Sequence, residues 1–177
     1  METLKGNTCY LRALEPEDLA FLYDVENKET HWKVSGTIAP FSRYLLKQYL
    51  ESAHKDIYEV KQLRLVITEN DTATTIGMID LFDFDPIHKR AGIGILLAKK
   101  HRGKGYASEA LELLCNYAFK FLGLHQVYAN ITTDNEASLH LFEQRGFELI
   151  GIKKEWIKHK KNYLDEATYQ RISHNKV

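Results

Sequence analysis

The distribution of apolar residues predicts an α/β (α+β) fold: a mixed, mostly antiparallel central sheet of about seven strands with helices on both faces. Three observations carry this. Residues 63–98 alternate with the period of strands and are broken only by short polar turns, which reads as an antiparallel meander. From Ala107 the apolar positions change to three-four spacing (Ala110, Leu111, Leu114, Tyr117, Ala118, Phe121), the mark of one helical face. The strand–helix–strand passage 91–132 is long enough for a right-handed crossover between parallel strands, which makes the sheet mixed.

In chain order, Thr8 to Leu14 is a short first strand. Pro16 then suits the first turn of a helix that runs to about Asn27. His31 to Pro40 contains Gly36 and Pro40 and has no period, so a loop is expected. Ser42 caps a second helix whose face is Leu45, Leu46, Tyr49, Leu50 and Ala53. The meander strands are Leu63 to Thr68, Thr74 to Phe84 and Ala91 to Ala98. After the helix from Tyr106 come a strand from His125 to Thr132, a helix from Asn135 to Arg145, and closing strands at Phe147–Ile157 and Asn162–Ile172.

Residues 1–177 read as a single domain by length, with no repeat or linker. The formal net charge is zero, so neither direct nucleic-acid binding nor membrane attraction is expected. Cys9 and Cys115 have no paired spacing, the first residues lack the apolar core of a signal peptide, and no apolar run approaches the roughly 20 residues of a bilayer span, so the cytoplasm is the expected home. No metal is expected.

The chemistry concentrates after the third meander strand, where Lys99-Lys100-His101-Arg102-Gly103-Lys104-Gly105 opens the helix. Two glycines one residue apart permit a tight bend, and the free N–H groups of the helix start face the same point, a geometry that suits a phosphate. The turn is neither a Walker A loop nor a dinucleotide G-x-G-x-x-G, and a turn that binds nothing is the alternative reading.

Arg102-x-x-Gly105-x-Ala107, between a strand and a helix, resembles the acetyl-CoA signature Q/R-x-x-G-x-G/A of the GNAT acetyltransferases. Residues 135–147, from Asn135 to Phe147, are similar to the family segment N-x-x-A/S-x-x-L-Y-x-x-x-G-F. Both stand in the family's order and spacing, and the layout resembles the ribosomal-protein N-terminal acetyltransferases and the spermidine N-acetyltransferases. The resemblance implies a GNAT-like sheet and acetyl-CoA as co-substrate. It places the pyrophosphate on N–H groups of Arg102, Gly103, Lys104, Gly105, Tyr106, Ala107 and Ser108, and the pantetheine along Ile95, Leu96, Leu97 and Ala98 like an added strand. Asn135, Ser138 and Phe142 are expected to share the helical face toward that cleft, with Asn135 equally suited to cap its helix.

Two departures matter. Many relatives carry a Tyr at Phe142 to protonate the departing thiolate, and a Glu where this chain reads Ala91-Gly92. That leaves Ser138 or water as the acid, and Asp80, Asp83, Asp85 or His88 as the base, with Asp80 preferred. His31 reads equally as packing or substrate contact. An alkylamine near pKa 10.4 is harder to deprotonate than an α-amine near 8 by about 3 kcal/mol. A site without the usual base therefore leans toward peptide or protein N-termini. A polyamine such as spermidine is the close rival and needs acids such as Glu26, Glu29, Asp80, Asp83 and Asp85. A non-catalytic acyl-CoA-binding module is the alternative to an enzyme, and a homo-oligomer is possible. The lysines of 153–161 read as a solvated hairpin, with RNA or the 3′-phosphate of CoA as rivals.

Overall fold

The computed structural model describes residues 2–35, 37–53 and 55–173. Its strands are β1 (Cys9–Arg12), β2 (Leu63–Glu69), β3 (Thr75–Asp85), β4 (Arg90–Leu97), β5 (Gln126–Thr132), β6 (Glu148–His159) and β7 (Asn162–Ile172). They form one sheet in the order β1-β2-β3-β4-β5-β7-β6. Every neighbouring pair is antiparallel except β4 and β5, the two strands joined by the crossover. The expected mixed sheet of seven strands is therefore the observed one.

Helices cover both faces. On one side α5 (Tyr106–Asn116) lays Ala110, Leu111 and Leu114 against Ile67, Ile79, Leu81 and Ile93, all fully or nearly fully buried. Phe142 of α6 (Glu136–Gln144) joins the same core. On the other side α1 (Leu19–Glu26) and α3 (Arg43–Ser52) pack Leu22, Val25 and Leu46 on Met78 and Leu96. Strand alternation separates Met78 from Ile79, so one strand feeds both cores. Burying each large aliphatic side chain contributes about 1.5–3 kcal/mol. Ser42 caps α3 as expected, its Oγ accepting from the Leu45 N–H at 3.1 Å.

Two short helices depart from the expectation. Glu29–Ser35 is helix α2, where the stretch from His31 was expected to be loop. Side chains hold it in place: the Trp32 indole donates to the Glu26 carbonyl at 2.7 Å and His31 Nδ1 lies 3.1 Å from the Val25 carbonyl. Gly36 lies outside the described residues. Helix α4 (Ile57–Val60) is a single turn capped by Asp56 and ended by Lys61 in the left-handed region. Beyond Asn116 the crossover helix widens to a π turn over Tyr117–Phe121.

Candidate active site

β4 and β5 pair through only three positions: Arg90 with Gln126, Ala91 with Val127, and Gly92 with Tyr128. Beyond that, β4 stays with β3 as far as Leu97, while β5 stays with β7 as far as Thr132. The sheet thus opens between them. The Phe82 ring lies over Gly92 and meets the Tyr128 ring edge-on at 6.0 Å, at the point of the fork. A Cβ on Gly92 would come within 2.3 Å of the Phe82 ring, and Ala91 is fully buried. Neither position has room for a carboxylate.

A cavity of about 760 Å³ fills the open side of the fork. Ile95, Leu96 and Leu97 supply its β4 wall. Arg102, Gly103, Gly105, Tyr106, Ala107 and Ser108 supply a second wall from the turn and the start of α5. Asn135 and Ser138 are on a third, at the start of α6. Three residues expected to hold cofactor, Ala98, Lys104 and Phe142, are not part of the cavity wall.

Gly103 and Gly105 both have positive φ (73° and 87°), which L side chains rarely adopt, and no atom lies within 4 Å of where a Cβ would sit on either. Gly105 is the N-cap of α5 and no side chain caps the helix; the Glu109 N–H is the one that bonds back to the Gly105 carbonyl, at 3.1 Å. The N–H groups of Tyr106, Ala107 and Ser108 therefore have no acceptor within the helix, and these residues line the cavity. Positive helix-end potential adds to this, so the turn fits an anionic phosphate group. The Arg102 side chain is turned back, its Nε donating to the Leu97 carbonyl at 3.0 Å, and Arg145 Nε donates to the Ser108 hydroxyl at 2.7 Å. The Glu69 carboxylate accepts from the Tyr106 hydroxyl and pushes that phenol up to about 12, so it keeps its proton near neutrality. Burial pushes the Cys9 and Cys115 thiols up to about 12 as well, so neither is a ready thiolate nucleophile.

At α6 the Asn135 side chain accepts from the Ser138 N–H at 3.3 Å, the capping role, while both residues stay at the cavity wall. The cavity face of α6 follows Ala137, Leu141 and Gln144, with Ser138 at its border. Phe142 departs from the expected shared face. It is 3% exposed and packs edge-on against Phe147 at 4.9 Å. The reason is that Asn135, as the cap, lies outside the helix and does not set its phase.

Asp80 is not in the cavity wall. Register places it opposite Arg64, whose Nε and Nη2 reach its two oxygens at 2.8 and 2.9 Å. Arg64 also holds Glu26 at 2.7 Å. Burial works against the guanidinium charge, but the two carboxylates more than restore it and raise Arg64 above its ordinary range. Both oxygens of the Asp80 carboxylate are therefore engaged by one guanidinium. Asp85 accepts from the N–H groups of Ile87 and His88 within its turn, and Asp83 accepts from the Tyr128 hydroxyl of β5. His88 is an exposed turn residue. In the basic hairpin, Lys153 and Lys154 are paired with Glu166 and Asp165.

Sequence reasoning did not place Thr30, His140 or Gln144 in the cavity, and left His31 undecided. The available signal was the His31-Trp32 pair, two side chains with polar ring nitrogens in an otherwise unpatterned stretch. Among the described residues no cluster of three or more His, Cys, Asp or Glu is placed to hold a metal, and no helix is long and apolar enough to cross a membrane.

The chain as a whole is similar to known proteins. The family profile described as "Acetyltransferase (GNAT) domain" matches residues 9–148. Spermidine N(1)-acetyltransferase of Vibrio cholerae is 30% identical over 140 residues, 77% of each chain. A putative ribosomal N-acetyltransferase of Bacillus subtilis is 38% identical over 71 residues, 40% of this chain and 39% of its own. The crystal structure of the Vibrio cholerae spermidine N-acetyltransferase in complex with CoA and spermine superimposes with a TM-score of 0.85 at 26% identity, covering 94% of this chain and 96% of that one. A dodecameric structure of the same enzyme gives 0.77 at 26% identity, covering 94% and 95%. With the matched profile spanning β1 to the start of β6, the chain belongs to the GNAT acetyltransferases and is an N-acetyltransferase of the acetyl-CoA-dependent kind.

Proposed function

We propose that residues 1–177 act as one acetyltransferase domain that transfers acetyl from acetyl-CoA to a primary amine of a spermidine-like polyamine. The observation that carries the cofactor half is the uncapped start of α5 behind two left-handed glycines, opening on the fork between β4 and β5. Residues Arg102 to Ser108 would hold the pyrophosphate, and the free edge of β4 from Ile95 to Leu97 would lie along the pantetheine. The amine nitrogen attacks the thioester carbonyl, the C–N bond forms, the C–S bond breaks, and the nitrogen sheds a proton. No covalent enzyme intermediate is needed, consistent with the two buried thiols. Catalysis comes mainly from proximity and backbone N–H polarisation, with Ser138 as proton donor to the thiolate.

The acceptor reading leans on relatives named for spermidine that align over most of this chain. One observation favours the peptide α-amine instead: Arg64 already occupies Glu26 and Asp80, two of the acids a polycation would use. The dodecameric relative, together with Leu149, Ile150, Trp156 and Tyr163 exposed on β6 and β7, supports a homo-oligomer. The test is CoA release from acetyl-CoA with a panel of polyamines and short peptides. Turnover led by spermidine or spermine is expected. Turnover led by peptides would overturn the acceptor assignment, and binding of CoA with no release on any amine would point to the non-catalytic module.

A further inference from the structure

With the family Glu position closed by Phe82, Asp80 held by Arg64, and Asp83, Asp85 and His88 outside the cavity wall, none of the bases the sequence offered lines the cavity. The cavity wall nonetheless carries two imidazoles, His31 from α2 and His140 from α6. They differ in how they are held. His140 is exposed, with no hydrogen bond fixing its ring among the described residues. His31 is half-buried, and its Nδ1 lies 3.1 Å from the Val25 carbonyl. A carbonyl only accepts, so Nδ1 must carry the proton. In the neutral ring the lone pair then belongs to Nε2, which makes no hydrogen bond within the described residues. A carbonyl that orients one nitrogen while the other meets the substrate is the arrangement a general base requires.

Resting on the acetyl-transfer reading above, we propose that Nε2 of His31 is the general base that takes the proton from the attacking amine. As the nitrogen bonds to the acetyl carbon, its N–H electron pair becomes the lone pair that the amide keeps. The proton passes to Nε2, and the sulfur leaves with the C–S electrons to be protonated by Ser138 or water. The imidazolium stays anchored, since both ring nitrogens donate once it is charged. The alkylammonium form dominates near neutrality by a factor of roughly a few thousand, so the amine first loses its ammonium proton to solvent and enters this step neutral. The α2 helix thereby acquires a purpose: the Trp32 indole bond to the Glu26 carbonyl and the His31 bond to Val25 fix it against the end of α1, with the ring at the cavity.

Charged and titratable groups near this ring are Lys28 and Glu29 at its own helix, Glu26 at the end of α1, Arg102 from the phosphate turn, and Asp134 and His140 from the start of α6. Glu26 is engaged by Arg64, and Arg102 by the Leu97 carbonyl. A pH profile must therefore be read against a variant of His31 itself.

The experiment compares the intact protein with His31→Asn, using acetyl-CoA and the best acceptor of the amine panel, across about pH 5.5 to 9. Asparagine keeps a donor where Nδ1 stands, so the bond to Val25 and the melting temperature are retained while Nε2 is lost. The expected result is CoA binding equal to the parent, kcat lower by about 100-fold, and loss of the parent's acid limb in kcat. A variant kcat within threefold of the parent, or an unchanged acid limb, would overturn the assignment. If the parent itself releases no CoA on any amine, it is the transferase reading that fails. A second measurement needs no variant: ring-nitrogen NMR of the parent is expected to show the Nδ1–H tautomer of His31, and an Nε2–H tautomer would overturn the proposal even if His31→Asn does not fold.

Discussion

Helices α5 and α6 both begin at the wall of one cavity, and they treat their first N–H groups in opposite ways. At α6, Asn135 turns its side chain onto the Ser138 N–H and satisfies the helix from within. At α5, the cap is Gly105, which has no side chain to offer, and the first-turn acid Glu109 is turned away to the N–H groups of Asn7, Thr8 and Cys9. A helix start left without an internal acceptor is a cost unless a ligand or water supplies one. The difference separates a helix start left without a side-chain cap, where the proposed phosphate would sit, from one closed by its own cap.

The sharpest way to break the comparison is to fill the open end. Gly105→Trp forces a side chain onto a backbone with φ of 87° and into the space before the amides, and CoA affinity is expected to fall by at least about 100-fold, near 2.7 kcal/mol, by calorimetry. Next in size is the chemistry at the closed end. Ser138→Ala is expected to lower kcat by about 100-fold with KM little changed, and an unaltered kcat would leave water as the proton donor.

The third prediction concerns the turned-away acid. Burial pushes Glu109 up, but the Thr8 hydroxyl and three backbone N–H groups outweigh it and hold the carboxyl at about 2, below its ordinary 4.5. A depressed folded-state value means that its stabilisation is complete above pH 4.5 and is lost as pH falls toward 2. Glu109→Gln is expected to cost about 2 kcal/mol at neutral pH and to flatten the parent's loss of melting temperature across that window. An unchanged acid slope would mean that the carboxylate is not the clip between α5 and β1. The smallest effect belongs to the satisfied end. Asn135→Ala is expected to lower stability by about 1 kcal/mol in urea unfolding, while Asn135→Asp, which keeps an acceptor oxygen, restores it.

The same contrast explains what was legible in the sequence. The meander, the crossover and the α5 face were readable because periodicity is a local consequence of burial, as Leu111 and Leu114 against Ile79 and Leu81 show. The glycine turn was readable because positive φ favours glycine at 103 and 105. What escaped depends on distant partners. Helix α2 is held by His31 and Trp32 reaching back to α1 carbonyls, a tertiary arrangement with no period to betray it. Asp80 is committed by the register that puts Arg64 opposite, and Phe142 is turned inward because the helix is phased from Glu136 and not from its cap.

The most direct test of the open helix end is to follow backbone amide signals by NMR while CoA is added to the unmodified protein. Large shifts and slowed exchange at Gly103 and Gly105 to Ser108, with the Ser138 amide already protected before CoA is added, are the expected result. Saturable binding that leaves the amides of 103–108 unmoved would contradict the account.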